Sequence, residues 1–226
     1  MKIHEVIDSL EKSADSITQQ KRRQRFLLYI AGVEAKLKQA DYSLYILSEY
    51  ADSFDDFSSS TEKENLSIKE QVEFYSDTFW ILIFSSLDIA AQIINQAYDF
   101  KLEEKSVSFK GIEGKITSQC SGSDLEKEYL SLKQSYLFKN CDRYRNCSAH
   151  RRPIYIKEAI TRVSHTKGYT VSGTAQMQGV ERTLCENPLD PVPKCEQGRM
   201  IPAYLIEISE KIKERLVKML KDLEIK

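Results

Sequence analysis

Glycine and proline are scarce, at 8 and 5 residues in a chain of 226. So few backbone breakers exclude a collagen-like or loop-dominated chain and favour helices. No Cys-x-x-Cys pair occurs among the five cysteines, Cys120, Cys141, Cys147, Cys185 and Cys195. An odd number at loose spacing argues against a disulfide framework, and Met1–Ser16 shows no signal-peptide pattern, so the expected compartment is a reducing cytoplasm. Long apolar runs are also missing. The most apolar stretch, Phe79 to Phe84, gives way to Ser85, Ser86 and Asp88; it reads as a buried helix too short to span a bilayer, and no membrane partner is expected. There is no Gly-rich phosphate loop, no Gly-x-Ser-x-Gly, no His-Glu-x-x-His and no repeat of fixed period.

What is present is globular in composition, with 41% hydrophobic and 30% charged residues. The length fits a single domain over 1–226, with an insertion at about 154–199. From Met1 to about Phe57 the chain reads as helical, with apolar residues at helical spacing in Phe26, Tyr29, Ile30, Val33 and Leu37 and again at Leu44, Leu47 and Tyr50. Asp52 to Asn65 is polar and serine-rich and reads as a loop. A second long helix is expected from a capping box at Ser67-Ile68-Lys69-Glu70, running to about Phe100 and apolar almost all round in its middle. Lys105 to Gly122 carries Gly111, Gly114 and Gly122 and reads as a connection. A third helix is expected from the capping box Ser123-Asp124-Leu125-Glu126 as far as His150, stopped by Pro153.

Beyond Pro153, Ile154-Tyr155-Ile156 and Tyr169-Thr170-Val171 have strand-like composition around a turn at His165–Gly168, and Pro188, Pro191 and Pro193 mark irregular chain. A last helix, Ile201 to Leu223, shows the stripe Leu205, Ile208, Ile212, Leu216 and Leu220. The expected fold is all-α: an antiparallel bundle of about four long helices, with a small β-hairpin and loop insertion before the last one.

A formal net charge of −1 names no partner, but the local balance does. Between Lys139 and Lys167 stand eight basic residues and two acids, Asp142 and Glu158, and a second basic cluster is Lys21, Arg22, Arg23 and Arg25. Concentrated positive charge on a near-neutral chain suits a polyanion such as nucleic acid; the plainer reading is a solvated face that balances acidic helices. Cys141, Cys147, His150, His165, Cys185 and Cys195 are potential metal ligands, but zinc sites show tighter cysteine pairs. Buried packing is the expected role of the cysteines, and neither a metal nor a cofactor is expected. The acid pairs Asp55/Asp56 and Glu103/Glu104 read as solvated charges.

The basic stretch contains Arg143-Tyr144-Arg145-Asn146-Cys147-Ser148-Ala149-His150-Arg151-Arg152-Pro153, which holds one of three histidines. Arg145, four intervening residues and His150 resemble the Arg-x(4–6)-His motif of the HEPN superfamily of helical-bundle proteins. Asn146 matches the polar residue that commonly follows the arginine there. The motif lies on the third long helix, before an irregular segment and a final helix, and the upstream Ser85-Ser86-Leu87-Asp88-Ile89-Ala90-Ala91 resembles the core helix of some members. Arg143 satisfies the longer spacing of the same motif, so two arginines compete for the role.

The resemblance implies RNA cleavage without metal, in which a ribose 2′-hydroxyl attacks the adjacent phosphate to give a cyclic phosphate and a 5′-hydroxyl. The residue types suit this. Imidazole titrates near neutrality, so His150 can move the proton. A guanidinium holds phosphate oxygens and developing charge. Asn146 can orient His150 or the phosphate, and Arg143, Arg151 and Arg152 can hold the RNA backbone.

The resemblance further implies a homodimer with a shared cleft, and the setting of a toxin or phage-defence effector with an antitoxin or regulatory protein. One form of regulation, modification of a tyrosine two residues after the histidine, has no counterpart here, since that position is Arg152. The alternative is a non-catalytic module of the same fold that binds RNA, a nucleotide or a protein. If Arg145 and His150 share one straight helix, they point about 140° apart. They then meet only where the helix end distorts or where two copies share a cleft.

Overall fold

The computed structural model describes residues 2–53, 62–150 and 201–221, together with 223 and 225. All of the regular structure among these residues is helical: α1 (Ile3–Ser13), α2 (Gln20–Ser53), α3 (Glu62–Ala97), α4 (Glu113–Gln119), α5 (Asp124–Gln134), α6 (Tyr136–His150) and α7 (Ile201–Leu220), with short 3-10 turns at Ala14–Ser16 and Glu104–Ser106. The expected hairpin insertion at about 154–199 lies outside the described residues.

The all-α expectation holds, but several boundaries move. The N-terminal helical stretch is two helices, α1 and α2, separated at residues 14–19. Helix α3 starts at Glu62, ahead of the Ser67 capping box, so that box falls inside the helix. The glycine-bearing connection contains α4, with Gly114 within it. The expected third helix is two helices. Ser135 adopts extended backbone (φ −65, ψ 151) at the end of α5. Its hydroxyl donates to Leu132 O at 2.5 Å and accepts from Phe138 N at 3.1 Å. One side chain thus closes α5 and opens α6, restarting the helix with a new rotational phase.

The contacts group the chain into two compact units: Met1–Ala40, Leu82–Lys139 and Ile208–Lys226 in the first, Asp41–Ile81 and Asn140–Glu207 in the second. The first unit is built on the α2 stripe foreseen from periodicity, with Phe26, Ile30 and Val33 fully buried and Leu37 nearly so. Also essentially inaccessible in this unit are Ile83, Leu87, Ala90, Ala91 and Ile94 of α3, Tyr129 and Leu132 of α5, and Ile212 and Leu216 of α7. At about 25 cal/mol per Å² of apolar surface removed from water, this burial is the main stabilising term.

Helix α3 also carries a polar row at helical spacing, Asp88, Gln92 and Asn95, which fastens the chain that follows it. Asp88 Oδ1 accepts from Phe109 N at 2.8 Å. Gln92 Nε2 donates to Glu104 O at 2.8 Å. Asn95 exchanges two hydrogen bonds with the Leu102 backbone. The buried Tyr129 hydroxyl completes the clasp by donating to Phe109 O at 2.5 Å. Side chains thus satisfy backbone groups of Leu102, Glu104 and Phe109 in the segment that follows α3.

Phe74–Ala97 is long and apolar enough to cross a membrane; an 18-residue window within it has a mean hydropathy of 1.4, and 67% of that window is buried inside the protein. The apolar stretch is therefore longer than Phe79–Phe84 alone suggests, and its burial is that of a core helix. Ser123 behaves as foreseen, accepting from Glu126 N at 3.2 Å, while the Glu126 carboxylate accepts from Gly122 N at 2.6 Å.

Candidate functional site

The candidate residues sit on α6 in the second unit. What aims them is the residue between the two arginines. Tyr144 is 1% exposed and stacks on Trp80 of α3, also 1% exposed, with ring centroids 4.4 Å apart and planes at 25°. Trp80 is braced in turn by Phe79 at 5.4 Å, edge to face. Cys141, three positions before Tyr144, is fully buried, so these two side chains mark the inward stripe of this part of the helix. Neighbours in a helix are about 100° apart. With Tyr144 inward, Arg143 emerges exposed on one side and Arg145 half-buried on the other.

Arg145 does not extend alone. Its Nη1 donates to Asn146 Oδ1 at 2.9 Å, and Asn146 Nδ2 donates to Asp142 Oδ1 at 3.3 Å. Asp142, Asn146 and Arg145 form a hydrogen-bonded row in which Asn146 is the middle member. Asp142 was not singled out from the sequence. Its signal was the i, i+4 spacing to Asn146, which places the two side chains on one helix face.

Side chains on α6 are described as far as Asn146. His150 is the last residue of the helix, which runs without interruption from Tyr136. Unbroken helix puts the His150 position about 140° around the axis from Arg145, about 40° from Asn146 and about 20° from Arg143. No distortion before His150 brings Arg145 onto its face, whereas Arg143 shares its stripe. Arg151 and Arg152 lie outside the described residues.

The second basic cluster has local work to do. Arg22 donates through Nε to Gln96 O at 2.6 Å and through Nη2 to Ala97 O at 2.8 Å, capping the end of α3 where carbonyls lack helical partners. Arg23 pairs with Asp15. Two of its four charges are thus accounted for within the fold of the first unit.

Burial pushes the Cys141 thiol up to about 12, far from the thiolate form that metal binding or nucleophilic attack requires. Cys120 is buried as well. Among the described residues, no group of three or more His, Cys, Asp or Glu side chains is arranged to hold a metal ion.

Comparison with known families supports the resemblance to HEPN proteins. The model of the Cthe2314-like HEPN family matches residues 29–186. This match spans more than half of the chain, and the chain belongs to that HEPN family. No curated protein and no solved structure matches it.

Proposed function

We propose that this chain is a metal-independent endoribonuclease of the HEPN type, acting through Arg145, Asn146 and His150 within a single HEPN-like domain over 1–226. The observation that carries the reading is the row on α6. An arginine held by its neighbouring asparagine stands on a helix that ends in histidine, beside the exposed Arg143.

In the proposed reaction the 2′-hydroxyl oxygen bonds to phosphorus, its proton passes to a base, and the bond from phosphorus to the 5′-oxygen breaks. The leaving oxygen takes up a proton. Imidazole titrates near neutrality and suits either transfer at His150. A guanidinium stabilises charge gathering on the phosphoryl oxygens. Arg143, Arg151 and Arg152 would hold the RNA backbone. Which of Arg143 and Arg145 touches the reacting phosphate follows from whether one chain or two build the cleft. Arg143 shares the His150 stripe within one chain, and Arg145 would meet the His150 of a second copy. The homodimer reading favours the latter. A toxin or phage-defence role in the cytoplasm, governed by an antitoxin or regulatory protein, is the setting such an activity would have.

A second reading has its own support. The angular separation of Arg145 and His150 on an unbroken helix suits a non-catalytic module that binds RNA, a nucleotide or a protein through Arg143 and Arg145. A cleavage assay separates the two. Purified protein is incubated with a mixed RNA pool in EDTA, and the product ends are analysed. Cyclic phosphate and 5′-hydroxyl ends support the nuclease; RNA binding without cleavage supports the module.

A further inference from the structure

We propose that Asp142 is a positioning residue for the Arg145 guanidinium, acting through the side-chain amide of Asn146. The inference rests on the α6 reading above and adds to it a residue with a defined task.

The argument comes from which groups can donate and which can accept. An ionised carboxylate only accepts hydrogen bonds, a guanidinium only donates them, and an amide side chain does one at each end. Asn146 lies between the two kinds. Its NH₂ faces Asp142 Oδ1 at 3.3 Å and its oxygen faces Arg145 Nη1 at 2.9 Å. Turning the amide over would set its NH₂ against guanidinium N–H groups and its oxygen against a carboxylate, losing both bonds and adding two repulsions. One amide orientation satisfies both neighbours, and Asp142 reinforces it from the NH₂ end.

Without Asp142 the amide NH₂ loses this acceptor and only the Arg145 bond orients the amide, so the acceptor that holds Nη1 is less firmly fixed. A guanidinium is planar with its donors in a rigid fork, so fixing one nitrogen restricts the plane in which the others meet a phosphate. Asp142 and Asn146 share one face of α6, being i and i+4 on the same helix. The rotation of that helix is set separately by Tyr144 on Trp80. Asp142 therefore sets the orientation of a side chain on a helix that is anchored by other residues.

The test uses the full chain and combines two measurements. The first is nuclear magnetic resonance of the Arg145 guanidinium and the Asn146 side-chain amide in wild type, Asp142→Ala and Asp142→Asn. Asp142→Asn keeps an oxygen acceptor in place. The expected result is that Asp142→Ala shifts both signals and speeds rotation of the guanidinium, while Asp142→Asn stays near wild type. The second is RNA cleavage, where misplacement of a reacting group by an ångström costs up to about 100-fold. The expected result is at least about a tenfold loss in turnover for Asp142→Ala, with substantial rescue in Asp142→Asn and an unchanged melting temperature in the latter.

Arg145 signals indifferent to Asp142→Ala overturn the proposal. So does equal loss of cleavage in both variants while the guanidinium signals of Asp142→Asn match wild type. If the wild type itself does not cleave RNA, the nuclease reading fails, and the resonance comparison alone still decides whether Asp142 positions Arg145.

Discussion

Tyr144 lies stacked on Trp80, ring centroids 4.4 Å apart, and this contact fixes which way the neighbouring arginines face. Both rings are essentially inaccessible, so removing either leaves a large cavity. Trp80→Ala is expected to cost about 3–5 kcal/mol of unfolding free energy, read from urea denaturation. Tyr144→Phe keeps the ring and should lie within about 1 kcal/mol of wild type, apart from any bond made by the hydroxyl.

The clasp on the segment after α3 predicts a loss at Tyr129. Its hydroxyl donates to the Phe109 carbonyl, and Phe109 is itself fully buried. Tyr129→Phe leaves that carbonyl with one partner fewer in a dry interior, and the expected destabilisation is about 1–2 kcal/mol. The same substitution should raise hydrogen exchange at the Phe109 amide, which is held by Asp88. An unchanged exchange rate would mean that the clasp is not cooperative.

Gly32 offers a gain. It lies inside α2, and a Cβ there would meet only the Ile89 side chain at 3.5 Å, ordinary van der Waals contact. Gly32→Ala removes backbone entropy from the unfolded chain and should stabilise by about 0.5–1 kcal/mol, seen as a higher melting temperature.

Alkaline pH should unfold the protein earlier than its net charge suggests. Burial raises Cys141 from an ordinary value of 9.0 to about 12. Tyr29 rises from 10.0 to about 12, first by burial and then through its hydrogen bond to Glu104. Tyr129 is pushed up by burial as well. Each group ionises more easily in the unfolded chain. The stability they contribute is complete below about pH 9 and is lost as pH rises towards the folded values. The urea midpoint should fall steadily between about pH 9 and 12, and less steeply in Cys141→Ala.

Much of the fold is legible in the sequence because it depends on periodicity. The stripe from Phe26 to Leu37, the stripe from Leu205 to Leu220 and the cap at Ser123 need only residue type and spacing. The break at Ser135 is not legible in the same way, since serine is an ordinary helix residue until its hydroxyl caps two helices at once. Residues 113–119 resemble a linker because Gly111 and Gly122 flank the short helix and Gly114 lies within it. Arg22 and Arg23 look like part of a polyanion patch until the end of α3 and Asp15 are seen beside them. In the site, Arg143 and Arg145 stand out in the basic stretch and Asn146 through the resemblance to the HEPN motif, whereas Asp142 becomes meaningful only once the amide of Asn146 is seen pointing at it.

Salt provides a check on the basic face. Each phosphate neutralised on single-stranded RNA contributes a slope of about 0.7 to the fall of log affinity with log salt. Arg143 is exposed on α6; Arg143→Ala should weaken binding to all RNA sequences alike and reduce the slope by about that amount. A loss confined to particular sequences would identify a base contact instead.

The most direct test of the central claim compares RNA cleavage in EDTA by wild type and His150→Ala, with matched helicity confirmed by circular dichroism. Loss of an acid–base group costs about 100- to 10,000-fold, so the account predicts cyclic-phosphate products from the wild type and a fall of at least that lower factor in the variant. Cleavage that continues undiminished in His150→Ala would contradict it.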